Sequence, residues 1–129
     1  MKTIERIILI DDNEMDNVYH QIIVQRAGFA GELLIFASCA AALAYLHGAD
    51  LSRPSLIFLD INMPGMNGFE FAEQATPLLR DKPTNTIMML TASGSERDRL
   101  RTSNLAIIKG FLTKPLTEAT VNELLASVD

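Results

Sequence analysis

The run Ile7-Ile8-Leu9-Ile10, closed by the pair Asp11-Asp12, restricts the fold more than any other feature of the chain. A continuous aliphatic run of this length is the pattern of a strand buried on both faces. It recurs. Leu56-Ile57-Phe58-Leu59 is closed by Asp60, Thr86 to Leu90 by Thr91, and the short run Phe111-Leu112-Thr113 leads into Lys114-Pro115. Leu33-Leu34-Ile35-Phe36 is a further strand of this kind, but ends in Ala37 with nothing polar, as suits an edge.

Helical patterns fill the intervals. Asn13 to Ala27 sets Met15, Val18, Ile22 and Ala27 on one apolar stripe and stops at Gly28. Ser38 caps an alanine-rich segment through Leu43 and Leu46 to Gly48. Ile61 to Asn67 holds Pro64, Gly65 and the turn pair Asn67-Gly68, so it reads as a loop. A helix follows from about Phe69 to Arg80, with Pro77 expected to end or kink it early. Ser95 opens a polar helix to about Ile108, and Thr117 caps a last amphipathic helix carrying Val121, Leu124, Leu125 and Val128. Five strand–helix units with short connections predict an α/β fold, a five-stranded parallel sheet covered on both faces, in strand order 2-1-3-4-5.

Length and charge narrow the function. At 129 residues the chain fits one domain spanning 1–129, with no room for an appended output domain. Eleven basic residues against sixteen acidic ones give a net charge of −5, which argues against nucleic acid as a partner. No apolar run approaches the roughly 18 residues of a membrane span, and the N-terminus is not a signal peptide. Cys39 is alone and reads as a buried apolar side chain in a reducing, cytoplasmic setting. Met88 and Met89 read as core, His47 as a charge near a helix C-terminus, and His20 as a surface or partly buried side chain.

Ligands of such folds sit at the carboxyl ends of the strands, beside the point where strand order reverses. There the chain places Asp11, Asp12, Asp60, Thr91 and Lys114. Carboxylates this close repel by about 4 kcal/mol per pair at about 4 Å and an effective dielectric of about 20, so the site calls for a cation. All-oxygen donors suit a hard divalent ion, Mg²⁺ or Mn²⁺. Lys114 and Thr91 are donors suited to an anion such as a phosphoryl group, and an aspartate can be the nucleophile that receives it.

Asp11-Asp12, Asp60-Ile61-Asn62-Met63-Pro64-Gly65-Met66-Asn67-Gly68, Thr91-Ala92-Ser93 and Lys114-Pro115, in this order along the whole chain, resemble the receiver domain of two-component response regulators. The resemblance implies a flavodoxin-like, doubly wound fold and a stand-alone switch, like the single-domain chemotaxis regulator, rather than an enzyme. Asp60 would accept a phosphoryl group from a histidine kinase or histidine phosphotransfer protein. Asp12, Asp60 and the backbone carbonyl of Asn62 would hold Mg²⁺, with Asp11 acting mainly through metal-bound water. Lys114 and Thr91 would contact the phosphoryl group, and small Ala92 would keep the pocket open. Lys114-Pro115 would be a cis peptide, and Phe111, lacking a hydroxyl, a steric switch. The family docks downstream protein targets on the face formed by the fourth helix, the fifth strand and the fifth helix, where Arg97 and Arg101 share one side of a helix and Arg99 points elsewhere.

Two other functions share parts of this pattern. A phosphatase of haloacid-dehalogenase type also uses an aspartyl phosphate, but it begins with Asp-x-Asp and carries a cap, whereas this chain has Asp11-Asp12-Asn13 and no such insertion. A flavodoxin-like flavin protein needs a Ser/Thr/Gly-rich loop after the first strand, where two aspartates would repel the flavin phosphate.

Overall fold

A computed structural model describes residues 3–92 and 96–127. Ser93, Ser95 and Val128, expected in the strand-end motif, as a cap and on the last helix, lie outside the described residues. Five strands, β1 (Arg6–Ile10), β2 (Glu32–Phe36), β3 (Ser55–Asp60), β4 (Asn85–Thr91) and β5 (Ile108–Thr113), alternate with five helices. These are α1 (Glu14–Arg26), α2 (Cys39–Gly48), α3 (Gly68–Leu79), α4 (Glu96–Ser103) and α5 (Glu118–Ser127). The strands pair in parallel in the order β2-β1-β3-β4-β5, as the sequence predicts.

Every residue of β1, β3 and β4 is buried, while the edges β2 and β5 are mixed. Successive side chains of a strand point to opposite faces, so the central strands supply two cores. Ile8, Ile10, Ile57, Leu59, Ile87 and Met89 pack with Leu46, Phe69 and Phe71 of α2 and α3. Ile7, Leu9, Leu56, Phe58, Met88 and Leu90 pack with Ile23, Val24 and Val121 of α1 and α5. Cys39 is buried, and burial, then the nearby Asp60 charge, pushes its thiol up to about 12.

The buried run of β1 begins with a charge. Arg6 is 1% exposed and donates from Nε to Ser55 Oγ (2.7 Å), and from its two Nη atoms to the Tyr45 hydroxyl (3.0 Å) and the Asp50 carbonyl (3.0 Å). Three neutral acceptors therefore replace the water its guanidinium gives up.

Three helices depart from the sequence reading. In α1 the stripe Met15, Val18 and Ile22 faces solvent, at 81%, 52% and 45% exposure, and the buried face is Asn17, His20, Ile23 and Val24. His20 is thus fully buried rather than at the surface. The first half of the helix faces the strand-end loops, whose backbone groups need hydrogen-bonding partners, so polar side chains point in. Asn17 donates to the Asp11 carbonyl (2.8 Å), and His20 Nε2 accepts from the Leu116 amide (3.4 Å).

Pro77 neither ends nor visibly shortens α3, which runs to Leu79. In the last turn it forfeits a single backbone bond, and the Arg80 amide still reaches the Thr76 carbonyl (2.9 Å). α4 stops at Ser103 instead of continuing to Ile108, because Ile107 and Ile108 are drawn into the core and β5 starts there. Among the described residues no helix is long and apolar enough to cross a membrane.

Candidate functional site

Asp11 directly follows β1, Asp60 is the last residue of β3, Thr91 the last of β4, and Lys114 follows β5. Parallel register brings these ends level. Ile10 lies opposite Leu59, Asp60 opposite Leu90, and Thr91 opposite Thr113. The Lys114 amide donates to the Thr91 carbonyl at 2.7 Å, which fixes Lys114 against the end of β4. The Lys114–Pro115 peptide is cis.

Carboxylate oxygens of Asp11, Asp12 and Asp60 lie within 4.8 Å of one another, with Asp11 and Asp60 buried and Asp12 exposed. Lys114 Nζ sits 2.7 Å from Asp11, 2.8 Å from Asp16 and 3.7 Å from Asp60. One ammonium thus serves three carboxylates, with Asp12 a fourth negative charge beside them. The shortfall shows in Asp60, whose carboxyl is pushed up to about 6 by burial and then by the Asp11 charge, against the opposing pull of Lys114. Burial alone would drag the Lys114 ammonium down, but its bonds to Asp11 and Asp16 prevail and hold it above the ordinary lysine range. Burial, and next the positive charge of Lys114, lower the His20 imidazole, in keeping with its role as an acceptor. An all-oxygen, charge-deficient cluster fits a hard divalent cation.

The loop after β3 supports this arrangement through Gly68. A Cβ there would lie 2.6 Å from the Asp60 carbonyl oxygen and 3.0 Å from Ile61 Cα, while the Gly68 amide donates to the Ile61 carbonyl at 2.9 Å. Only glycine lets α3 start so close beneath Asp60. Asn67 caps that helix by accepting from the Glu70 amide, and Glu70 returns a bond to the Asn67 amide.

The remaining candidates spread outward. Thr91 is fully buried, and Ala92 and Asn62 are exposed beside the crevice. Phe111 is half-buried on β5, opposite Met89, with the Arg99 guanidinium 4.9 Å from its ring centre. Arg97 is exposed on α4; Arg101 lies 4.2 Å over the ring of Phe69. The crevice therefore unites Asp11, Asp12, Asp60, Thr91 and Lys114 but not Phe111 or the arginines. Asp16, His20 and Gly68 are contributors that strand-end reasoning passes over. Asp16 had one signal: it lies in the first turn of a helix that opens immediately after Asp11-Asp12.

Comparison with known proteins agrees with this geometry. The family model described as "Response regulator receiver domain" matches residues 7–126. The chain is 31% identical over 116 residues to the probable methanogenesis regulatory protein FilR2 of Methanothrix harundinacea, covering 86% of this chain and 72% of that protein. It is also 27% identical to hybrid signal transduction histidine kinase L of Dictyostelium discoideum, spanning 96% of this chain but 7% of the kinase. A two component response regulator structure from Cytophaga hutchinsonii superposes with a TM-score of 0.85 at 29% identity, covering 98% of each chain. The chain belongs to the response regulator receiver family, the Mg²⁺-binding signalling domains of two-component systems.

Proposed function

We propose that this receiver is a phosphorylation switch in which Asp60 accepts a phosphoryl group from a phosphohistidine donor. The observation that carries the reading is the strand-end cluster, three carboxylates within 4.8 Å of one another with Lys114 among them. An Asp60 carboxylate oxygen forms the new P–O bond while the P–N bond of the phosphohistidine breaks, and the donor imidazole leaves with a proton. Asp12, Asp60 and the Asn62 carbonyl would hold Mg²⁺, with Asp11 supporting it from further out, and the ion would supply positive charge for the phosphoryl oxygens. Lys114 pairs with those oxygens once they arrive, and the Thr91 hydroxyl turns to donate to one of them. Ala92 leaves the approach open.

The likeness to a hybrid histidine kinase points to histidine-bound phosphate as the donor. A kinase or histidine phosphotransfer protein needs a surface near Asp60, and Met15, Val18, Tyr19 and Ile22 of α1 offer an exposed apolar one. Output runs through the α4-β5-α5 face. As Thr91 turns inward, Phe111 moves into the space behind it and the face carrying Arg97 and Arg101 changes for a downstream protein.

Labelling by a small phosphodonor such as acetyl phosphate tests the reading. Wild-type protein takes up phosphate with Mg²⁺ and not in chelator, and Asp60→Asn takes up none. Wild-type labelling of Asp60→Asn would sink the assignment.

A further inference from the structure

We propose that Asp16 is the counter-anion that anchors Lys114 in the unphosphorylated state, and so sets how readily Lys114 turns to an incoming phosphoryl group. The inference rests on the reading of Asp60 as phosphoacceptor.

Lys114 Nζ has two short partners, Asp11 at 2.7 Å and Asp16 at 2.8 Å, and stands back from Asp60 at 3.7 Å. The two short partners are not equivalent. Asp11 belongs to the three-carboxylate cluster and is claimed by any cation bound there, whereas Asp16 stands outside that cluster. When a divalent ion draws on Asp11, Asp16 is the carboxylate left to Lys114. Exposure makes it a releasable one. The Asp16 side chain is 39% exposed against 5% for Asp11, so water can take over from the ammonium at Asp16 at little cost, but not at Asp11.

Asp16 is itself held in place. Its amide donates to the Asn13 side chain at 3.0 Å, which locks it into the first turn of α1. One turn later, His20 accepts from the Leu116 amide at 3.4 Å, and beyond it Arg26 pairs with Glu118 at 3.3 Å. α1 therefore grips the stretch from Lys114 to the start of α5 at three points, and Asp16 is the one acting on the lysine. It touches none of the reacting atoms and is a positioning residue.

A double-mutant cycle between Asp16→Asn and Lys114→Met tests this, read as the Mg²⁺ dissociation constant by calorimetry at fixed pH and salt. With Asp16 neutral, Lys114 leans fully on Asp11 and Asp60 and competes with Mg²⁺, so binding weakens about fivefold. In the Lys114→Met background the same substitution changes binding by less than about twofold. At saturating Mg²⁺, Asp16→Asn also speeds labelling by acetyl phosphate about fivefold, because Lys114 reaches the phosphoryl group without leaving a partner. Asp16→Glu keeps the charge and stays within about twofold of wild type in both readouts.

Equal weakening of Mg²⁺ binding in both backgrounds would reduce Asp16 to a through-space charge and overturn the proposal. So would a lowered melting temperature with Mg²⁺ binding and labelling unchanged. The two readings fail separately. A coupled Mg²⁺ cycle in a protein that no donor labels keeps the anchor and removes the phosphoacceptor; labelling at Asp60 with no coupling does the reverse. If Lys114→Met does not fold, the contrast between Asp16→Asn and Asp16→Glu decides alone.

Discussion

The helices on the two flanks of the strand-end crevice are held in opposite ways. α1 is tied across to the segment after β5 by Asp16–Lys114, His20–Leu116 and Arg26–Glu118, and its outward face is apolar. α4 has eight residues and one buried side chain among them, Thr102, and it meets its neighbours through Arg99 over Phe111 and Arg101 over Phe69. One flank has directional bonds, two of them to the largely buried Lys114 and Leu116, and the other has ring contacts from exposed cations that shift at little cost. In a switch, the first arrangement suits an element that must keep the chemistry in register. The second suits an element that must move.

The contrast can be broken most sharply at His20. His20→Ala leaves a cavity beneath α1 and removes the acceptor of the Leu116 amide, so it should cost about 3 kcal/mol of stability by denaturant unfolding. A cost below about 1 kcal/mol would mean that α1 is no better anchored than α4.

The next largest effect is that of metal. A cation held only by the folded arrangement of Asp11, Asp12 and Asp60 should add about 2.7 kcal/mol when Mg²⁺ is at a hundredfold excess over its dissociation constant. Thermal melting with Mg²⁺ and with chelator measures it. An unchanged melting temperature would remove the metal from the account.

pH gives an effect of similar size with a fixed sign. The Asp60 carboxyl titrates near 6 in the folded chain against an ordinary value of 3.8, so between these values the folded state holds the extra proton. In metal-free protein this contribution is fully present below about pH 4 and is lost as pH rises through about 6, a change of roughly 3 kcal/mol. Asp60→Asn removes the slope, and raises the melting temperature in chelator at neutral pH but not in acid. Smallest is Arg99→Ala on α4, expected to cost about 0.5 kcal/mol through its contact with the Phe111 ring.

How much was legible in the sequence differs between these flanks for a physical reason. β1, β3 and β4 announce themselves because strands buried on both faces admit only apolar residues, and their polar endings mark the crevice. That logic reached Asp11, Asp60, Thr91 and Lys114 without any contact being known. It failed on α1, since a helix shows its inner face by apolarity only where that face meets core. Asn17 and His20 meet loop backbone instead, so the apolar stripe of Met15, Val18 and Ile22 was the outer face. Arg6 was hidden by the converse rule: a buried cation satisfied by Ser55, Tyr45 and Asp50 draws its partners from distant segments, which no local pattern displays. Gly68 read as half of a turn, although its close approach to the Asp60 backbone is what matters.

Mass spectrometry after incubation with acetyl phosphate and Mg²⁺ shows directly whether Asp60 is the acceptor of this switch. One phosphoryl group per chain is expected, mapped to the peptide containing Asp60 and absent in chelator. A phosphoryl group mapped to any other residue, or the same labelling without Mg²⁺, would contradict it.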